Sequence, residues 1–346
     1  MIKKVGTCAA TLIHTARTGG DVYYLEFAGT DADDQLALLE AASVTAGLTQ
    51  VAPGLATARS ITTARMSELA FTRVCCRHLG TVDPSVDAAT ALMQDVPLEL
   101  TGPVAVRAHR IREQSTADTA AIERAVGTVL TGRGCAIDLE SPVHTLRVSC
   151  GTDRWMVGWV LTSREGGYGR RQPGRRPFFS PGSIDPIEAR AAVNIAVGPT
   201  PGVMCDPLCG TGGFLIEAAA VGASIIGGDI RPEMVEGTRA NIGAMSPTAP
   251  LGIYHGDASA IPLASRSVDA IVTDLPYGRQ SPIAAATQGA LVDAVLPELA
   301  RIARRAVLIC DRRIESPDGS LRLQAHLARR VHRSLTRHLH VFTTGR

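Results

Sequence analysis

Lysine is nearly absent: Lys3 and Lys4 are the only two in the 346-residue chain, so almost every positive charge is an arginine. The guanidinium fork suits phosphate and base recognition better than a point charge does. It concentrates in Arg164–Arg176 (REGGYGRRQPGRR) and in the tail from Leu321 to Arg346, which has no acidic residue. The net charge of +2 therefore says less than its distribution. Paired cysteines are also missing. The eight cysteines are scattered with no CxxC pair, and although Cys205 and Cys209 are four apart, no second pair joins them. That argues against a disulfide framework or a zinc ribbon and for reduced thiols. His326, His332, His338 and His340 cluster late in the chain, but their spacing matches no metal motif, and no metal is expected. No apolar run approaches the roughly 20 residues of a membrane span. Met1–Val5 leads into mixed residues rather than a signal-peptide core, so a cytoplasmic location is expected.

From residue 186 onward, apolar runs and helical spacings alternate. Gly202–Asp206, Ala223–Gly228, Leu251–Tyr254, Val268–Thr273 and Ala306–Cys310 read as strands, and Phe214–Val221, Pro232–Ala244 and Leu291–Arg305 as helices. Such alternation predicts a doubly wound, Rossmann-like α/β sheet. Leu335–Phe342 alternates as a late edge strand would. The first 160 residues are a different, α+β mixture. Strands are predicted at Val22–Phe27, Pro103–Ala108, Ala136–Leu139 and Thr145–Ser149, with helices at Asp34–Ala46 and Ala117–Leu130. The glycine and proline cluster at Gly166–Gly174 marks the boundary between the two halves.

Acidic residues end the predicted strands in order. Asp206-Pro207-Leu208-Cys209-Gly210-Thr211-Gly212-Gly213 joins a strand to a helix. Its glycines let the backbone pass close to a ligand, and the helix start favours a carboxylate, such as the methionine end of S-adenosylmethionine. The spacing is not the dinucleotide fingerprint G-x-G-x-x-G. Asp229, followed by Ile230, ends the next strand about 20 residues on, where a carboxylate accepts from ribose hydroxyls; a helix cap is the alternative reading. Asp257, followed by Ala258, is placed to meet an adenine amine or simply to make a turn.

The fourth strand ends in Asp274-Leu275-Pro276-Tyr277-Gly278, similar to the (D/N)-P-P-Y signature of methylases acting on exocyclic amines. An aromatic amine is a weak nucleophile because its lone pair is delocalised. A carboxylate (Asp274) and a backbone carbonyl (Leu275) accepting from its N–H groups hold it for in-line attack on a sulfonium methyl. Tyr277 stacks on the base, which must leave its helix, and Pro276 fixes the turn.

The chain as a whole resembles the THUMP-domain tRNA guanine-N2 methyltransferases, above all the archaeal and eukaryotic enzymes acting at position 10 of tRNA. The resemblance is carried by Asp206–Glu217 (DPLCGTGGFLIE), Gly228–Gly237 (GDIRPEMVEG), Ser267–Gly278 (SVDAIVTDLPYG) and Arg176–Ser183 (RPFFSPGS). Ser67–Arg73 and Val104–Leu146 resemble the family's THUMP region. The resemblance implies an N-terminal α+β, ferredoxin-like part at 1–55, a THUMP-like RNA-binding domain at 56–160, an Arg/Gly-rich linker at 161–185 and the methyltransferase domain at 186–346. It implies that Asp206, Pro207, Cys209, Gly210, Thr211 and Gly212 hold the methionine end of S-adenosylmethionine, with Ser183 alongside. Asp229 and Ile230 would hold the ribose, and Asp257 and Ala258 the adenine. Arg107, Arg133, Arg170, Arg171 and Arg175 are candidate tRNA contacts, each equally readable as surface charge. One departure from the motif is Leu275 where proline is usual; a backbone carbonyl is supplied either way. Because the catalytic motif does not separate amine substrates, three readings stay open. These are a methylase of another amine (rRNA guanine N2, adenine N6 or cytosine N4), a non-catalytic RNA-binding protein, and a protein-glutamine methylase. The expected partner is tRNA, with the chain a monomer and an activating protein left open.

Overall fold

Val268–Asp274 and Ala303–Cys310 are buried at most positions, as in strands covered on both faces. The computed structural model places them side by side in a parallel pair. It describes residues 22–344, apart from 114, 247–248, 250, 276–287, 317–318 and 333–334. The elements begin with β1 (Tyr23–Phe27), α1 (Asp34–Ala42), β2 (Thr45–Ala46), β3 (Thr49–Ala52), β4 (Leu55–Ala58), β5 (Ser60–Ile61) and α2 (Thr63–Met66). There follow β6 (Thr72–Val82), α3 (Val86–Asp95), β7 (Val104–Arg110), α4 (Thr119–Gly132), β8 (His144–Cys150) and β9 (Trp155–Ser163). Next come α5 (Pro186–Val197), β10 (Val203–Asp206), α6 (Gly213–Ala220), β11 (Ser224–Asp229), α7 (Pro232–Met245) and β12 (Leu251–His255). The chain closes with β13 (Val268–Asp274), α8 (Gln288–Ile302), β14 (Ala303–Cys310), β15 (Leu321–His332) and β16 (Leu335–Thr344).

By contact these form two units. The first takes in the chain to Asp34, Thr45–Ile61 and Thr72–Ser163, and is built on a seven-stranded sheet of order β3-β4-β1-β6-β9-β8-β7. Its pairs are antiparallel except for β7 with β8. α4 lays Ile122, Val126 and Leu130 into a core with Leu146, Val148, Trp155 and Trp159. Within the sheet the carboxylate of Glu26 is fully buried and takes both Nε and Nη2 of Arg147, at 2.9 and 2.7 Å. The strand predicted at Ala136–Leu139 reduces to a single bridge from Ile137 to Val104. Asp138 explains this, because its Oδ1 accepts the N–H groups of Glu140 and Ser141 and closes a turn instead.

The second unit takes in Gln35–Val44, Thr62–Phe71 and the chain from Arg164. Its sheet runs β12-β11-β10-β13-β14-β16-β15, with β12 to β14 parallel and β16 and β15 antiparallel. The chain winds outward from β10 to β12, then returns to β13 beside β10. That reversal is the point in such sheets where ligands bind outside the carboxyl ends. β16 is not the edge strand that its alternation suggested. β15, whose LRLQAHLARRVH went unread as a strand, pairs outside it along ten register positions. The two early segments belong here because Glu40, fully buried, accepts the N–H groups of Ala70 and Phe71 and the amide of Asn194 on α5. Arg65 likewise donates to Asn194 at 2.8 Å and to the Gly198 carbonyl.

Candidate functional site

Asp206 ends β10, Asp229 ends β11, Asp257 follows β12 and Asp274 ends β13, so the four strand-end carboxylates share one edge of the sheet. Beyond β10, Gly210 and Gly212 both take positive φ, +51° and +78°. A Cβ at Gly212 would stand 3.0 Å from Thr238 Cγ2, whereas one at Gly210 would meet nothing within 4 Å. The turn is therefore packed on one side and open on the other, as a ligand approaching the backbone requires. Thr238 and Asn241 of α7, both fully buried, tie it down. The Thr238 hydroxyl donates to the Gly210 carbonyl at 2.7 Å and the Asn241 amide to the Thr211 carbonyl at 2.9 Å. Ser183 Oγ lies 3.0 Å from Thr211 Oγ1, so the serine expected from the resemblance does sit at the turn.

The acids differ in environment. Asp206 is 1% exposed and faces inward: its Oδ1 accepts the Thr273 hydroxyl at 2.7 Å and the Leu208 N–H at 3.2 Å. Burial, with the nearby charges of Asp229 and Asp274, raises its pKa to about 7 despite those hydrogen bonds. Asp229 braces the turn, since its Oδ2 accepts the Gly210 N–H at 3.0 Å and its Oδ1 the Arg231 N–H at 2.9 Å. The cap residue of α7 is Arg231, not Asp229. Asp257 is exposed, and its Oδ1 accepts both the N–H and the hydroxyl of Ser259 at 2.8 Å. Pro207, Cys209 and Ala258 are buried, whereas Ile230 is exposed.

Asp274 is half-buried, and its Cα partner across the ladder is Ile309 of β14. Leu275 continues that ladder by one bond, its N–H donating to the Ile309 carbonyl at 2.8 Å. Its side chain is 1% exposed and packs with Ala258, Ile261, Val292 and Val295 in the core. The side chain thus faces the core, and the N–H makes a bond that the usual proline has no N–H to make. Pro276 and Tyr277 lie outside the described residues.

The arginine-rich segment is anchored within the second unit. Tyr168 is buried beneath the guanidinium groups of Arg164, Arg171 and Arg190, 5.0–5.8 Å from its ring centre. Arg171 and Arg190 pair with the two oxygens of buried Glu217 at 2.6 and 2.8 Å. Arg170 and Arg175 remain exposed. In the first unit Arg107 donates to the Leu139 carbonyl and Arg133 to those of Met93 and Val96. Thr238, Asn241 and Glu217 were not picked out from the sequence. They lie on helices whose spacing signals burial but not what a buried polar group grips.

Residues 173–338 match the family model described as RMKL-like, methyltransferase domain. The tRNA (guanine(10)-N2)-dimethyltransferase of Methanothermobacter thermautotrophicus is 35% identical over 240 residues, covering 65% of this chain and 68% of the relative. The enzyme of the same name from Methanocaldococcus jannaschii is 31% identical, covering 68% of each chain. Among solved structures, TrmN from Thermus thermophilus aligns with a TM-score of 0.49 at 20% identity, covering 94% of this chain and all of that one. The switch-point site and the matched domain define a class I, S-adenosylmethionine-dependent methyltransferase. Within that class, the chain belongs to the tRNA (guanine(10)-N2)-dimethyltransferase family.

Proposed function

We propose that this protein methylates the exocyclic N2 of a guanine in tRNA, at position 10, with the sheet-edge turn holding S-adenosylmethionine. The observation that carries the reading is Asp274 at the carboxyl end of β13, beside β10 at the reversal of strand order. It is supported by relatives named for that reaction. The residues fit the cofactor. The open face at Gly210 admits the methionine end to the backbone of Cys209–Gly212, with Thr211 and Ser183 alongside. Asp229 keeps lone pairs for ribose hydroxyls beyond the two N–H groups it already accepts. Asp257 and Ala258 border the adenine. Asp206 acts from beneath by fixing the turn through Leu208. The bound cofactor supplies an electrophilic sulfonium methyl.

The chain's own residues do the rest by positioning. Asp274 and the Leu275 carbonyl accept from the guanine amine and hold its lone pair in line, and Tyr277 stacks on the base. The THUMP-like part at 56–160 grips the RNA by shape and phosphate, and the exposed Arg170 and Arg175 add contacts near the methyltransferase domain. The chain acts as a monomer in the cytoplasm. To test this, the protein is incubated with labelled S-adenosylmethionine and unmodified tRNA transcripts, and the product is digested to nucleosides. Label in N2-methylated guanosine, lost when guanine 10 is replaced, is expected. Label in N6-methyladenosine, or in DNA alone, overturns the reading.

A further inference from the structure

His326, His338 and His340 take no part in the proposed reaction, yet the fold gathers them. His326 on β15 stands directly opposite His340 on β16, and His338 is two residues from His340 on the same strand. Residues two apart share a face, and opposite residues stand side by side, so all three imidazoles project together. Their ring centres are 4.8 to 6.3 Å apart, and each offers a ring nitrogen within 4.8 Å of the other two. His326 Nε2 and His338 Nδ1 are already 2.9 Å apart. Sequence spacing hid this, because one donor comes from the neighbouring strand.

The buried member is held neutral, with a partner at each ring nitrogen. Ile314 N–H donates to His340 Nε2 at 3.1 Å, so that nitrogen carries the lone pair. The proton is then on Nδ1, which faces the Leu308 carbonyl at 3.4 Å. A backbone carbonyl behind one ring nitrogen is the usual outer support of a metal-binding histidine; here Cys310 Sγ also lies 3.9 Å from Nδ1, and Nε2 is held by Ile314 until an ion takes its place. Phe342 stacks on the same ring at 5.8 Å and fixes its plane. Of the charges facing the cluster, Arg313 is paired with Glu315 at 3.6 Å.

We propose that His326, His338 and His340 bind one divalent transition ion of the zinc type. Three imidazoles favour such an ion over magnesium or calcium and leave a fourth position open. Binding requires His326 and His338 to separate from 2.9 Å to roughly 3.4 Å, the spacing of two nitrogens about 2.1 Å from a tetrahedral ion. It also requires the ion to replace Ile314 N–H at His340 Nε2. The site is two strands from Asp274: Ile309 pairs with Asp274 on one side and with Leu339 on the other, between the two histidines of β16. Because side chains alternate along a strand, His338 and His340 project to the face opposite Leu339, and so opposite the side chain of Asp274.

The test uses tag-free, metal-depleted full-length protein titrated with Co²⁺ and, by equilibrium dialysis, with Zn²⁺. One ion per chain is expected, with the visible bands of tetrahedral cobalt and no thiolate charge-transfer band. His338→Asn and His326→Asn, both at partly exposed positions, should each weaken binding at least about 30-fold, since loss of a direct ligand exceeds the 10- to 100-fold scale of outer-shell changes at its lower end. Their unfolding midpoints without metal should match the parent. The absence of stoichiometric binding at about 100 μM metal, roughly a thousandfold above the weakest constant typical of structural zinc sites, overturns the proposal. So does a thiolate spectrum, or binding unchanged in both variants.

Discussion

Leu275 offers the sharpest test of how the catalytic strand works, because its side chain and its backbone do different things. The side chain is 1% exposed among Ala258, Ile261, Val292 and Val295, so Leu275→Ala leaves a cavity and should destabilise by about 2–5 kcal/mol. Its carbonyl is unchanged, and kcat measured well below the unfolding temperature should stay within about threefold of the parent. Leu275→Pro restores the usual motif residue and yet should also destabilise. It removes the N–H that donates to the Ile309 carbonyl at 2.8 Å, leaving a buried acceptor unpaired at a cost of about 1–3 kcal/mol. The smaller ring forfeits about one methylene of burial, near 0.8 kcal/mol. The stiffer unfolded chain returns about 0.4–1 kcal/mol. The net is about 2 kcal/mol, a fall in Tm of roughly 4–8 °C for a unit of about 200 residues. Denaturant or thermal unfolding, paired with methyl-transfer kinetics, reads both effects. A proline variant as stable as the parent would refute the ladder argument. A folded alanine variant with kcat down about 100-fold would refute the backbone role.

Asp274→Ala should lower kcat about 10²- to 10³-fold while calorimetric S-adenosylmethionine affinity moves less than about threefold; collapse of cofactor affinity would put Asp274 in the wrong role. Gly212→Ala, at φ +78° and with its new Cβ 3.0 Å from Thr238, should destabilise by about 1–2 kcal/mol and weaken cofactor binding. An unchanged unfolding midpoint would contradict that. The Asp206 carboxyl titrates near 7 in the folded chain against 3.8 unfolded, so the folded state keeps a proton that the unfolded state releases. Its contribution to stability is full below about pH 4 and falls away as the pH rises to about 7. Asp206→Asn should remove that slope from a series of unfolding curves, and an unaltered slope would assign it to another group.

Much of the second unit was legible because its signals are local. A strand buried on both faces is a short apolar run, and an acid at its end marks where it leaves the sheet. Asp206, Asp229, Asp257 and Asp274 were found on that basis. Their local roles were less legible. Asp206 turned out to face inward and Asp257 to close a turn on Ser259, because hydrogen-bond partners such as Thr273 come from other strands. The tail was read correctly as a strand but wrongly as an edge, since edge or interior depends on what pairs beyond it.

The sequence by itself determined the order of strands and helices from β10 to β14, the acidic strand ends and the amine-methylase motif, each set by residues within a few positions of one another. Only the tertiary structure decided which segments before residue 164 join the second unit, through the grip of Glu40 on Ala70, Phe71 and Asn194. It also decided what Leu275 bonds to, and that His326 meets His338 and His340. These are contacts between residues far apart in the chain, and pairing register, which no local pattern encodes, brings them together.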